Sequence, residues 1–321
     1  MSLSSEDRSA SLGSLAPNLP QVRLVAVLGT SFSGSTLLNL ILGAHPQIYG
    51  GGEMHGLLTN RNRAIGGSCT SCGLNCKYWD ADARDSIQLY NFYDLTRRIF
   101  GRPIIVDTSK SLDWFNQVLA VSENVSISPT FVLMVKHPVR YLASCFVNIK
   151  SAEPRSLVRR AMGRLDREYK KKVLLDQWID DLSKYYSELL PGLPGTLGNY
   201  PFHVLHYERL VASPRIALGP LLQSVGVSYS QEQDDFYGAD FHQIGGNNGA
   251  VYQTRGSWNG GDDGVPAFRL RFYQENRSLT VDNKYKEIFS DKEISILKSN
   301  IKLSELCRRL GYSDPQMPFQ I

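Results

Sequence analysis

Gly29-Thr30-Ser31-Phe32-Ser33-Gly34-Ser35-Thr36 carries the clearest chemistry in this sequence. Two glycines let the backbone curl tightly, and the N–H groups that open a following helix lack intrahelical acceptors. Together they make a cradle for an oxyanion. The spacing matches the phosphate-loop pattern G-x4-G-K-[ST], except that Ser35 stands where the lysine would be. A nucleotide kinase or hydrolase uses that lysine on the outer phosphates, together with magnesium. Amides with the hydroxyls of Ser33, Ser35 and Thr36 instead suit a single phosphate that needs no metal beyond it.

Ionisable residues recur just past other apolar runs. Lys110 closes Ile104-Ile-Val-Asp107-Thr-Ser109-Lys110, a position where α/β proteins collect site residues. Lys136-His137-Pro138 follows Phe131-Val-Leu-Met-Val135, with Arg140 and Ser144 shortly after. Glu53 and His55, in Gly50-Gly-Gly-Glu53-Met-His55, are the candidate general bases. Cys69, Cys72 and Cys76 are spaced like metal ligands, but the usual second C-x-x-C pair is absent. They read as plain structural cysteines and the protein as needing no metal, with zinc or a local disulfide as the weaker alternatives.

The elements that must position these residues form an alternating series. Val22–Gly29, Pro103–Asp107, Thr130–Lys136 and Pro201–Tyr207 read as buried strands, and the short extended His45–Tyr49 returns to the same sheet edge. Helical patterns follow from Ser35, His137 and Ser213. The expected fold is α/β, a three-layer open parallel sheet with a phosphate-binding loop and helical lid insertions. One insertion spans about 150–190, where Leu165, Tyr169, Val173, Trp178, Leu182 and Tyr186 repeat at helical spacing behind a basic stretch from Arg155 to Lys172. A glycine- and asparagine-rich loop covers about 245–265. Residues 1–20 read as a disordered leader and 21–321 as one domain.

Composition agrees with that frame. The 321 residues are 42% hydrophobic and 21% charged, which excludes a wholly disordered or fibrous chain. The net charge of +4 demands neither nucleic acid nor an anionic membrane, but is compatible with a basic pocket for a small polyanion. The sequence has no long apolar run, and its odd count of 5 cysteines fits a reducing compartment, so a cytoplasmic protein is expected.

In the order and spacing of these motifs, roughly residues 22 to 312 resemble the bacterial-type small-molecule sulfotransferases that use 3′-phosphoadenosine-5′-phosphosulfate (PAPS). Their 5′-phosphosulfate loop reads [KR]-S-G-[ST]-T, which implies donor contacts at Ser31, Phe32, Ser33, Gly34, Ser35, Thr36 and Leu37. Their R-[DN]-P signature and a later serine grip the 3′-phosphate, which implies Lys136, Arg140 and Ser144 here. Tyr207 opens a segment similar to Y-E-D-L-x-x-x-P, and His242-Gln-Ile-Gly-Gly246-Asn247 resembles an H-x-x-x-G-N element. Arg255-Gly256-Ser257-Trp258 is similar to the loop that closes over the 3′-phosphate and adenine.

The chain departs from that pattern twice. Phe32 replaces the usual loop cation, leaving Lys110 of the D-x-S-K element as the candidate catalytic cation. Lys136 replaces an arginine, which keeps the charge and loses the bidentate fork. A glutamate in a similar G-E element serves as base in certain relatives, including the tyrosylprotein enzymes, so Glu53 precedes His55.

The implied activity is sulfuryl transfer from PAPS to a hydroxyl or amine of a metabolite or natural product, releasing the bisphosphate PAP. The expected partner is a small-molecule acceptor, with no nucleic acid or membrane and with a homodimer possible. The alternatives are a nucleotide kinase or hydrolase, or a non-enzymatic adenosine-phosphate-binding protein. Tyr78, Trp79, Trp114, Tyr252 and Trp258 are the aromatic candidates for the acceptor pocket, with core packing as their commoner fate.

Overall fold

The computed structural model describes residues 21–60, 67–121, 126–151, 167–247 and 283–312, together with Leu279 and Val281. The expected leader, Leu165, most of the loop at 245–265 and its residues Tyr252, Arg255, Gly256 and Trp258 lie outside the described residues.

The chain opens with β1 (Gln21–Gly29), α1 (Ser35–Gly43) and β2 (Ile48–Gly52). Short helices α2 (Gly56–Thr59) and α3 (Ala81–Ser86) precede α4 (Phe92–Phe100). Then come β3 (Ile104–Lys110), α5 (Leu112–Val121), β4 (Ser126–Val135), α6 (Pro138–Ser151) and α7 (Arg167–Leu197). β5 (Phe202–His206), α8 (Tyr207–Ala212) and α9 (Pro214–Ser224) follow, and α10 (Tyr285–Ile288), α11 (Asp291–Ser299) and α12 (Ile301–Arg309) end the described chain.

All five strands run parallel, in the order β2-β3-β1-β4-β5. Strand side chains alternate between faces, so a sheet covered on both sides needs apolar residues at every position. In β1, Leu24, Ala26 and Leu28 join one core with Ile105, Phe131 and Leu133 from the neighbouring strands. Val25 and Val27 join the other, with Ile104, Val106, Val132 and Met134. Phe92 and Tyr93 of α4, Trp114 and Phe115 of α5, and Leu182 and Tyr186 of α7 cover the first face. Leu38, Leu40 and Ile41 of α1 and Leu218, Leu221 and Leu222 of α9 cover the second. These are the expected three layers.

Two elements differ from the sequence expectation. β3 continues through Lys110, because β1 stays paired with it as far as the Leu28–Lys110 register, past an irregularity. In α7 the buried stripe is Leu175, Ile179, Leu182, Tyr186, Leu193 and Leu197, whereas Val173 is exposed. A 3.6-residue period fits adjacent faces of a helix almost equally well. Packing selects between them, since Leu175 and Ile179 meet Val139 and Leu142 of α6 and Tyr285, Leu297 and Leu303 of the C-terminal helices. Near the end of the basic stretch Lys171 is pinned: its Nζ donates to the Ile288 carbonyl at 2.8 Å and lies 2.6 Å from Glu293 Oε1. Among the described residues no helix is long and apolar enough to cross a membrane.

The turn from β4 into α6 is built on buried polar groups. Pro138 begins the helix, where its missing N–H costs nothing. The His137 N–H and the Tyr312 hydroxyl both donate to the fully buried Glu208 carboxylate, at 3.1 and 2.8 Å. His137 Nδ1 accepts from the Val139 N–H at 3.2 Å, which requires a neutral nitrogen there. Burial, then the cations Arg140 and Lys298, push the His137 imidazole down to about 3. Burial is also the leading cause that lowers His45, His203 and His206.

A histidine held neutral in the native state takes up its proton only on unfolding, so its contribution to stability is intact above the unfolded value near 6.5 and is lost as pH falls below it. From pH 8 to pH 5, His137 alone is expected to lower the unfolding free energy by about 2 kcal/mol. Urea denaturation across this range should show that slope, and His137→Gln should flatten it.

Candidate functional site

Because the strands are parallel, their carboxyl ends share one edge, and each feeds one piece of the site. Glu53 directly follows β2, Lys110 ends β3, the loop from Thr30 follows β1, Lys136 follows β4 and Tyr207 follows β5. The strand order reverses direction at β1, which has β3 on one side and β4 on the other. This is the switch point at which open α/β sheets bind ligands.

The loop after β1 is shaped by close approaches. A Cβ on Gly29 would sit 2.5 Å from the Met134 carbonyl oxygen, and one on Gly34 would sit 2.5 Å from Cδ2 of the Tyr207 ring. Gly34 has φ +99° at the start of α1, supplies no capping side chain, and no acidic residue occupies the first turn. The Ser33 hydroxyl is buried with no hydrogen-bond partner. An orphaned hydroxyl, an uncapped helix start and a glycine cradle fit a bound oxyanion. Phe32 adopts φ +65° and exposes its ring, so it contributes backbone rather than charge.

Glu53 and Lys110, neighbours across the sheet edge, form an ion pair through Lys110 Nζ and Glu53 Oε1. Lys110 also has φ +65°, a conformation that costs a non-glycine residue about 1–3 kcal/mol unless its surroundings impose it. Asp107 imposes it. This fully buried carboxylate accepts from the Ser109 N–H and hydroxyl, from the Tyr93 hydroxyl at 2.8 Å and from the Trp114 indole at 3.0 Å. Burial raises its pKa, and the hydrogen bonds from Ser109, Trp114 and Tyr93 oppose that rise. The Ser109 hydroxyl in turn accepts from the His55 N–H at 3.0 Å.

Glu53 and Lys110 line a cavity of about 450 Å³ together with Gly29, Thr30 and Ser31 of the loop. Ser109, Ser111, Tyr141 of α6, and Asp181, Leu182 and Tyr185 of α7 complete it. His55 is not among the lining residues; its ring lies edge-on to Trp114, and its Nδ1 is buried without a partner. The described aromatic candidates pack with the core: Trp79 is fully buried and donates to the Tyr49 hydroxyl and the His242 carbonyl, while Trp114 is held on Asp107. Tyr78 packs against Phe100 and the His242 ring. The tyrosines that do line the cavity carry no sequence signal, since they sit inside ordinary helical patterns.

Lys136 donates to the Ser144 hydroxyl at 2.9 Å, and its ammonium lies 4.7 Å from the centre of the Tyr207 ring. Tyr207 thereby touches both Lys136 and the Gly34 turn. Arg140 differs from the expectation that groups it with them. Its guanidinium is buried, with Nη1 on Asn283 at 3.2 Å, Nε at 3.7 Å from Glu208 and the plane over Tyr285. The Asn247 N–H donates to the Thr36 hydroxyl at 3.1 Å, and Gly246, at φ +97°, packs on the same residue. Leu37 packs into the core beneath the loop.

A buried link missed in the sequence joins these pieces. Asn39 of α1 donates to Gln243 Oε1 at 2.7 Å and accepts from the Gly52 N–H at 3.1 Å, one residue before Glu53. An asparagine inside the leucine-rich helix was the available signal. Behind it, the fold brings His242 to Cys69, Cys72 and Cys76, with all four ligand atoms within 4.8 Å of one another. The sequence shows three thiols without a second C-x-x-C pair, and the fold adds a histidine beside them from a distant segment.

The model of the sulfotransferase family matches residues 25–231. The sulfotransferase domain from the Synechococcus PCC 7002 olefin synthase superposes with a TM-score of 0.54 at 16% identity, covering 92% of this chain and 97% of that one. The sulfotransferase domain from the curacin biosynthetic pathway gives 0.52 at 17% identity, covering 92% and 98%. These likenesses establish a shared fold. No curated protein matches the chain.

Asp107→Ala strands four buried donors. It is expected to lower the unfolding free energy by about 3 kcal/mol, as read by urea denaturation.

Proposed function

The chain belongs to the sulfotransferase family, and on that footing we propose that it moves a sulfuryl group from PAPS to a hydroxyl or amine of a small-molecule acceptor, releasing PAP. The observation that carries this reading is the meeting of Glu53 and Lys110 in the cavity that opens beside the loop after β1. When bound, PAPS supplies the activated sulfuryl group and a phosphate leaving group.

The loop amides with Ser33, Ser35 and Thr36 would hold the 5′-phosphate. Lys136 and Ser144, already joined and backed by Tyr207, would hold the 3′-phosphate. Gly246 and Asn247 flank the loop at Thr36, and Arg255 and Gly256 remain candidates from the resemblance alone. Lys110 Nζ would place positive charge where charge grows on the departing oxygen, a fixed electrostatic gain larger in the transition state than in the ground state. Glu53 would take the acceptor proton on its carboxylate, which Lys110 and the backbone bond to Ile244 hold in place. His55 is the second choice as base. The acceptor would enter along Tyr141, Asp181 and Tyr185, polar groups suited to a hydroxyl or amine.

Two substitutions separate the roles. Glu53→Gln is expected to lower turnover by about 10²-fold or more while PAP still binds in calorimetry. Lys110→Met is expected to lower kcat by about 10²–10³-fold with a smaller loss of donor affinity. The assay is conversion of PAPS to PAP across alcohol, phenol, amine and sugar acceptors. Wild-type turnover in either variant removes that residue from the mechanism, and magnesium-dependent ATP hydrolysis by the native protein would replace the reading altogether.

A further inference from the structure

Cys69, Cys72, Cys76 and His242 are not among the residues that line the cavity, and the proposed transfer does not use them. His242 Nδ1 lies 3.8, 3.5 and 3.4 Å from the sulfurs of Cys69, Cys72 and Cys76. A tetrahedral ion about 2.3 Å from sulfur and about 2.0 Å from nitrogen requires S···N edges of about 3.5 Å. Cys69, Cys76 and His242 are buried and Cys72 half-buried, and all are free thiols or imidazole rather than disulfides.

The imidazole is oriented as a ligand. Its Nε2 is 3.0 Å from the Asp240 carboxylate, so an N–H there donates to Asp240 and leaves the Nδ1 lone pair facing the sulfurs. Metal-bound histidines are commonly fixed in this way. The His242 carbonyl accepts from the Tyr49 hydroxyl at 2.8 Å and the Trp79 indole at 3.1 Å, and the Tyr78 ring packs edge-on against the imidazole. The backbone is therefore held where the fourth ligand is needed.

From this geometry we propose that Cys69, Cys72, Cys76 and His242 form a structural zinc site. Three soft thiolates and one imidazole in a tetrahedral arrangement select Zn²⁺ over the hard oxygen-seeking cations, and four protein ligands leave no open position for catalysis. Binding releases the three thiol protons to solvent and leaves a neutral imidazole on the ion.

The site clamps the cysteine segment to the end of β2. Cys69 bridges Ile244, the Thr70 N–H donates to the Gln243 carbonyl, the Ile244 N–H donates to Gly51, and the Glu53 N–H donates to Ile244 at 2.6 Å. Zinc at His242 would anchor the strip of backbone that holds Glu53 and then runs to Gly246 and Asn247. The metal itself is independent of the transfer reading, and its test does not depend on turnover.

Full-length protein made in zinc-supplied medium, with no histidine tag, is assayed for metal by plasma mass spectrometry. The expected content is about one zinc per chain, with a reversible fall in Tm on chelation. Exchange for Co²⁺ should give thiolate-to-cobalt charge-transfer bands and intense tetrahedral d–d bands. Cys76→Ser and His242→Ala should lose the ion, His242→Cys should retain it, and Asp240→Asn should weaken affinity about 10–100-fold. The native-protein measurements stand even where a variant does not fold. Less than about a tenth of an equivalent of zinc with no cobalt bands overturns the proposal. A disulfide between two of the three cysteines in non-reducing peptide mapping overturns it as well.

Discussion

The site depends on the parallel direction of all five strands. Only that arrangement puts five carboxyl ends on one edge, so that residues spread from Thr30 to Tyr207 meet at one place. The direction is enforced by burial. The central strands β1, β3 and β4 send apolar side chains to both faces, the two cores grip opposite sides of β1, and a slip of one residue there would carry those side chains into the wrong layer. Glu53, Lys110 and Lys136 therefore inherit their positions from a rigid sheet rather than from their own loops.

Fine positioning is carried by a few buried polar residues. Asp107 shapes the end of β3, Asn39 ties α1 to the end of β2, and Glu208 ties the β4–α6 turn to the C-terminal Tyr312. Each is costly to bury and gains its place only when several donors or acceptors converge on it. The two described non-glycine residues with positive φ, Phe32 and Lys110, both lie at the site, where the surroundings can hold a strained backbone.

Charge is placed more selectively than a net value of +4 suggests. Lys110 and Lys136 stand at the strand ends, on either side of the loop after β1, while Arg140 turns inward to stabilise Glu208 and the C-terminal helices. The strip from His242 to Asn247 knits the rest together. It touches the cysteine segment, the backbone of Gly51 and Glu53, and Thr36 of the loop in succession. These contacts tie the cysteine segment, the end of β2 and the loop after β1 to one strip of backbone.

Much of this was legible in the amino-acid sequence. Unbroken apolar runs such as Leu24–Leu28 announce doubly covered parallel strands, and the glycine spacing at Gly29 and Gly34 announces a tight loop before a helix, because both are local requirements of backbone and burial. Motif order likewise put Glu53, Lys110 and Lys136 at strand ends. Tertiary structure alone decided which groups meet. It paired Glu53 with Lys110, turned Arg140 inward, put Trp79 in the core and Tyr185 in the cavity, and brought His242 to three cysteines far away in the chain. Spacing reports what neighbours along the chain can do. A contact between distant residues exists only once the two cores have packed and fixed which strand ends lie side by side.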